Sequence, residues 1–295
     1  MTPAARVLAQ AKINLLLHVL AQEKSGYHSI ETLFQRIDLG DDVTVRATSG
    51  GRTLDCHGPA LPAAGLGETA RNLAFRAAEL YQRETGWPAG FEIEIDKQIP
   101  VGGGLGGGSA DAGAVLRCLD ALAPRPLGAR LVELAANIGA DVPFLTAEDP
   151  LALAWSRGER MMSLPPLPPR AVALVIPDFS VATAEAYGWL AASRGAYVPR
   201  GRSLHQTDVA SWGAVAGLAD NDFEPVIAER RPVIGEIIGR LREGGATVAM
   251  MSGSGSSVFG VFPHAEDPTT VQLPPECAII ATRTSERVAQ VVRLQ

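Results

Sequence analysis

The chain has 295 residues, 46% hydrophobic and 20% charged, an ordinary balance for a globular protein and enough for about two domains. A net charge of −6 argues against a general nucleic-acid binder, which needs a basic face, but admits a phosphorylated small molecule held by backbone dipoles and a few lysines. No apolar run reaches membrane-spanning length, the N-terminus lacks signal-peptide layout, and the three cysteines (odd in number, with no CxxC pair) point away from disulfides or zinc and toward a cytoplasmic protein.

In chain order, residues 5–20 form an apolar, strand-like stretch interrupted by Lys12, Asn14 and His18, with further strand signals over 37–48 and 91–96. Phe91-Glu-Ile-Glu-Ile95 alternates with period two, the pattern of a half-buried strand. Gly51–Gly67 is loop-rich, and residues 71–83 carry a helical repeat through Leu73, Ala77, Leu80 and Tyr81. The spacing predicts helices over 109–122, with Ser109 as N-cap, and over 128–138, closed by Gly139 as a C′ glycine. Leu164–Pro169 reads as a rigid surface loop, 171–177 as an apolar strand and Arg194–Asp208 as an exposed loop. A helix near 231–243, a strand at 246–251, a second glycine loop at Gly253–Ser257 and a strand at 257–262 follow. Strands and helices mix without strict βαβ alternation, so the fold class is α+β.

Residues 102–108 hold six glycines in seven positions, between the strand ending near residue 96 and a helix. Bare backbone at a helix N-terminus presents N–H donors and a positive dipole end to one small volume, which suits a phosphate. The Walker A loop is excluded, because Ser109-Ala110 stands where its lysine should be. Gly102, Gly104 and Gly107 fit G-x-G-x-x-G, but the acidic residue some way on, Asp120, falls inside a helical pattern instead of at a strand end. A dinucleotide-binding protein stays open as an alternative.

Five segments occur in a fixed order: Gln10-Ala-Lys-Ile-Asn-Leu15, Ser25-Gly-Tyr-His28, the glycine run, Gly139-Ala-Asp-Val-Pro143 and Ser252-Gly-Ser-Gly-Ser-Ser257. In this order they resemble the superfamily of galactokinase, homoserine kinase, mevalonate kinase and phosphomevalonate kinase, over residues 9–262. The first two segments are similar to the branch acting on a cytidine diphosphate compound in the non-mevalonate isoprenoid pathway. Another small-alcohol kinase, such as homoserine kinase, is the alternative within the superfamily. The resemblance implies a two-domain GHMP-kinase-like fold with the active site in the inter-domain cleft. Residues 1–156 would be the ATP-binding domain and residues 157–295 the substrate-binding domain. It also implies ATP and Mg²⁺ as cofactors, a small-molecule cytidine diphosphate substrate, no nucleic-acid or membrane partner, and a monomer or weak homodimer.

Phosphoryl transfer asks for positioning and charge neutralisation. On the resemblance, Asp141 is the general base, although by itself it reads as a turn or N-cap aspartate. Lys12 orients the attacking hydroxyl and offsets charge on the transferred oxygens, and Asn14 holds the acceptor's hydroxyls. Tyr27 stacks on the cytosine and His28 hydrogen-bonds it, with Tyr187, after Thr183, as the second stacking face or a core residue. Asn72 and Lys97 line the ATP site, and Pro100, Val101, Gly102, Gly103, Gly104, Leu105, Gly106, Gly107, Gly108, Ser109 and Ala110 form the phosphate cradle. Ser109 also approaches phosphate or Mg²⁺, while Gly253, Ser254 and Gly255 close over the site; no protein metal ligand is assigned. The chain departs from the family in carrying Ala110-Asp111 where Ser-Asn is commoner, and Ala21 for glycine. Asp111 suits the helix dipole but stands beside the expected phosphates.

Overall fold

The computed structural model describes residues 2–22, 28–156, 158–193, 204–263 and 270–295. The chain opens with the long strands β1 (Ala4–Gln22) and β2 (His28–Thr48), followed by β3 (Arg52–His57), helix α1 (Leu73–Thr85) and β4 (Gly90–Asp96). Helices α2 (Gly107–Leu122), α3 (Arg130–Ala135) and α4 (Val142–Thr146) lead to the hairpin β5 (Leu151–Ser156) and β6 (Arg160–Ser163). The chain continues with β7 (Ala171–Pro177), α5 (Thr183–Ser193), α6 (Trp212–Ala216), β8 (Asp220–Asn221), α7 (Glu224–Arg230) and α8 (Val233–Glu243). Strands β9 (Val248–Met251), β10 (Val258–Phe262), β11 (Cys277–Arg283) and β12 (Val292–Leu294) complete it.

Two sheets result. The first runs β12-β1-β2-β4-β3, with β5 and β6 continuing from β2 and β8 beside β1; the second runs β11-β7-β10-β9. Pairing is antiparallel except for β3–β4 and β1–β8, as an α+β fold requires. The expected boundary after residue 156 separates the paired strands β5 and β6, whereas the second sheet starts at Ala171 and β12 returns to the first.

Helices α1 and α2 cover the first sheet, burying Ala77, Tyr81, Ala112, Val115 and Leu119 against Ile13, Val43 and Ile93. Helix α8 covers the second; its buried Ile234, Ile237, Ile238 and Leu241 recur at i, i+3, i+4 and i+7, the stripe of an amphipathic helix. Leu17, Val19 and Ile30 belong to this second core, so the β1–β2 hairpin runs from one core into the other. Register shifts between Gln10 and Lys12 and between Asn14 and Leu16 re-aim side chains along β1.

Three local expectations change. Within Gly51–Gly67, residues 52–57 form an edge strand whose mostly exposed, polar face hides the strand pattern. Helix α2 starts at Gly107 behind a left-handed Gly106, so Ser109 lies in the first turn and is not the N-cap. Helix α3 ends at Ala135, and Gly139 is not among the glycines with positive φ, so it is no C′ glycine. Of the loop expected at Arg194–Asp208, residues 194–203 lie outside the described residues and Gln206–Val209 form a 3₁₀ turn.

Helices α2 and α4 meet at Gly113, where a Cβ would stand 2.6 Å from the Leu145 carbonyl oxygen. Glycine to alanine in an open helix gains about 1 kcal/mol. Here Gly113→Ala is expected to cost about 1–3 kcal/mol instead, because the backbones must separate; urea denaturation reads the sign directly.

Candidate active site

A cavity of about 630 Å³ opens between the two cores. Lys12, Asn14, Asn72, Lys97, residues 100–109 and Asp141 line it from the first sheet's side, and Thr183, Tyr187, Phe223, Gly253 and Ser254 from the second's. Most residues singled out in the sequence therefore share one space. Among those whose side chains are described, two do not line it: Ala110 is buried in α2, and Gly255 packs over Met251, whose sulfur lies 2.7 Å from the position of a Gly255 Cβ. Both shape the wall from behind.

On the cavity floor, buried Lys12 reaches along β1 and donates from Nζ to Asn14 Oδ1 at 2.6 Å. The same nitrogen lies 3.4 Å from Asp141 Oδ2 and 5.6 Å from the centre of the Phe34 ring. Asn14 in turn donates to Thr32 Oγ1 at 2.8 Å, which fixes its amide. Asp141 occupies the N-cap position of α4 yet makes no capping bond, so its partly exposed carboxylate faces lysine and cavity. The other end of α4 is held by buried Arg36, which donates to the carbonyls of Phe144 (2.7 Å), Ala147 (2.8 Å) and Asp149 (3.1 Å). Nothing in the periodicity of β2 singles out Arg36.

The glycine run forms the cavity's other wall. The Lys12 amide donates to the Leu105 carbonyl at 3.0 Å, tying the run to β1. Gly104 has φ 77°, and a Cβ there would stand 2.1 Å from the Ser252 carbonyl oxygen. Ser252 Oγ donates to the Gly104 carbonyl at 3.0 Å and the Ser257 amide to the Gly103 carbonyl at 3.2 Å, so the two glycine loops are sewn together. No side chain caps the start of α2, and Gly106, Gly107, Gly108 and Ser109 at that start line the cavity. Asn72 serves twice: its Oδ1 caps α1 through the Ala74 amide at 2.9 Å, and it lines the cavity.

Lys97 also lines the cavity, but its ammonium is committed. Nζ lies between Asp41 Oδ2 and Asp111 Oδ2, the latter at 2.7 Å, with all three residues buried. Asp41 Oδ1 also accepts the amides of Gln98 (2.6 Å) and Ile99 (2.8 Å). One lysine thus clamps both ends of the glycine run to β2, and Asp111 points into this clamp. Two carboxylates share one cation, and Asp111 Oδ1 has no hydrogen-bond partner among the described residues. Burial, opposed by Lys97 and reinforced by Asp41, pushes the Asp111 carboxyl up to about 7.

From the second core, Tyr187 packs edge-on to Phe223 with ring centroids 4.9 Å apart, and Thr183 Oγ1 lies 3.1 Å from Ser254 Oγ. Burial and the nearby Asp141 charge raise the Tyr187 hydroxyl to about 12. Tyr27 lies outside the described residues, and of His28 the backbone alone is described, at the start of β2. Asp120 answers the dinucleotide alternative: it sits in α2, accepting from Tyr81 Oη (2.8 Å) and the Leu127 amide (2.6 Å), a structural role far from any strand end. Phe223, Leu66 and Leu73 also line the cavity. They are ordinary apolar positions in the sequence, with no signal to mark them.

Sheets, helices and paired glycine loops together define a GHMP kinase. The patterns for GHMP kinases N terminal domain and GHMP kinases C terminal match residues 72–148 and 202–273. The 4-diphosphocytidyl-2-C-methyl-D-erythritol kinase of Pelotomaculum thermopropionicum is 42% identical over 260 residues, covering 86% of this chain and 88% of that protein. Its counterpart from Anaeromyxobacter sp. (strain K) is 40% identical, covering 87% and 80%. A crystal structure of 4-(cytidine 5'-diphospho)-2C-methyl-D-erythritol kinase superposes with TM-score 0.72 at 34% identity, over 95% of this chain and 99% of that one. The chain belongs to the family of 4-diphosphocytidyl-2-C-methyl-D-erythritol kinases. Homoserine kinase from Cytophaga hutchinsonii shares the fold, with TM-score 0.69 at 18% identity. Among the described residues no helix is long and apolar enough to cross a membrane.

The clamp makes a pH prediction. Asp111's folded pKa, about 7, lies above the ordinary 3.8, so its contribution to stability is complete below the lower value and drains away as pH rises to the upper one. Asp111→Asn keeps an oxygen for Lys97 and removes that loss. Its melting temperature is expected to gain on the unsubstituted protein between about pH 4 and pH 7 and to hold a constant lead above that, read by calorimetry; a constant difference throughout would place the titration elsewhere.

Proposed function

We propose that the protein transfers the γ-phosphoryl group of ATP to a hydroxyl on the methylerythritol unit of 4-diphosphocytidyl-2-C-methyl-D-erythritol, as a cytoplasmic enzyme of the non-mevalonate isoprenoid pathway. One observation carries the reading: Lys12 Nζ, Asn14 Oδ1 and Asp141 Oδ2 converge on the floor of a cavity walled by side-chain-free backbone. The names of its relatives support the choice of substrate.

In this reading the nucleotide's phosphates lie against the backbone N–H groups of residues 102–108 and the first turn of α2, with Asn72 near the rest of the nucleotide. The acceptor hydroxyl sits between Lys12 and Asp141. Asp141 takes its proton as the new O–P bond forms, and the electron pair of the breaking bond leaves on the β-phosphate oxygen of ADP. Lys12 faces the charge growing on the transferred oxygens. Asn14 and Thr183 orient the acceptor, while Tyr187, braced by Phe223, offers an aromatic face to the cytosine alongside Tyr27 and His28. Mg²⁺ fits a site of oxygen donors, with the Ser109 hydroxyl on the cavity wall, and would neutralise phosphate charge when bound with ATP.

Incubation of the protein with Mg²⁺, ATP and 4-diphosphocytidyl-2-C-methyl-D-erythritol, with homoserine and mevalonate in parallel, should add one phosphoryl group to the cytidine compound alone, seen by mass spectrometry. Product only from homoserine or mevalonate would discard the substrate and keep the reaction class. Asp141→Asn should lower kcat by about 10²–10⁴-fold while ATP affinity, measured by calorimetry, changes little. Near-normal turnover in that variant removes Asp141 from the base role.

A further inference from the structure

The segment Asp220–Glu224 fastens backbone on two sides. Toward β1, β8 pairs in parallel through Leu16↔Asp220 and Leu17↔Asn221, the Asp222 amide donates to the Leu17 carbonyl at 3.0 Å, and Asp222 Oδ2 accepts the Val19 amide at 2.6 Å. Toward the second glycine loop, Asn221 Nδ2 donates to the carbonyls of Met251 and Gly253, both at 2.8 Å, and Glu224 Oε2 accepts the Met251 amide at 2.9 Å. Asn221 Oδ1 accepts the Phe223 amide at 3.0 Å, so the buried carboxamide has both ends engaged. Asn221 does not line the cavity, yet two of the residues it touches, Gly253 and Phe223, do. The two carbonyls it holds flank Ser252, whose hydroxyl secures Gly104, and a Cβ on Gly253 would stand 3.6 Å from Asn14 Oδ1. Phe223, in turn, braces Tyr187.

We infer that Asn221 is a positioning residue for phosphoryl transfer: its carboxamide sets the second glycine loop against Gly103–Gly104 and against the acceptor side of the cavity. Among the described residues no other side chain combines these partners. A carbonyl pair 2.8 Å from one nitrogen demands an NH₂ group, because a carboxylate would repel both and an aliphatic side chain would leave both unsatisfied. This role rests on the kinase reading above.

The test uses the full chain with ATP, Mg²⁺ and 4-diphosphocytidyl-2-C-methyl-D-erythritol, comparing Asn221→Ala, Ser252→Ala and the double variant below their melting temperatures. Displacing a loop at a reacting centre is expected to lower kcat about 10- to 100-fold in Asn221→Ala. If Asn221 acts through the Ser252 contact, the double variant falls no further than Asn221→Ala alone. Effects that multiply, or an unchanged kcat, overturn the inference. Should Asn221→Ala fail to fold, Asn221→Asp preserves size and the acceptor for Phe223. Its kcat relative to the unsubstituted enzyme should recover as pH falls, since a protonated carboxyl again donates to one carbonyl; a flat ratio counts against the role. An unsubstituted protein that forms no phosphorylated product removes the reaction itself, whereas normal turnover in the Asn221 variants removes only this residue.

Discussion

The site depends on an approach of backbone to backbone. Gly103 and Gly104 meet Ser252 and Ser257 so closely that a single methyl group at either glycine would collide with the opposite loop. That contact adds to a junction the second sheet already makes, since Val172, Leu174 and Phe259 belong to the first hydrophobic core and Ala173, Val175 and Val258 to the second. The cavity's width is set there, and so is the distance between groups on the glycine run and those on α5. The glycines therefore serve two ends at once. They leave bare backbone along the cavity, and they let one loop seat on the other.

Buried charge is used in three different ways around this contact. Lys12 is left with one carboxylate, a carboxamide and an aromatic face, and so stays available to a ligand. Lys97 is committed to two carboxylates and acts as a fastener for the glycine run. Arg36 spends its guanidinium on three carbonyls behind α4 and so steadies Asp141 without touching it. All three are nearly inaccessible, and their surroundings, not their charge alone, separate their roles.

Much of this was legible in the sequence, for reasons that differ by residue. The glycine run, the alternation before it and the apolar spacing after it define strand, loop and helix locally, and the structure places them within a residue or two. The α+β class followed from element order. Edge strand β3 was hidden because polar, exposed positions carry no period-two contrast, and the start of α2 was misplaced because Gly106 in the left-handed region replaces the expected serine cap. The resemblance brought Lys12 and Asp141 together across the chain. It also placed Lys97 on the nucleotide, and only the fold shows both its carboxylate partners. Asn221 was invisible, since its two hydrogen bonds to the distant Met251 and Gly253 carbonyls leave no pattern around it.

Strand β12 adds a consequence for synthesis. Val292–Leu294 pair with Ala4–Arg6, so the first sheet receives a strand encoded almost three hundred codons after its own first strand. Residues emerging from a ribosome in order can build β1 to β6 early, but the outer side of β1 stays an open edge until the whole second core has been made. During that interval the nascent chain exposes unpaired backbone next to β1. The order of translation, as much as the final contacts, then decides how long this protein is open to pairing with a neighbour.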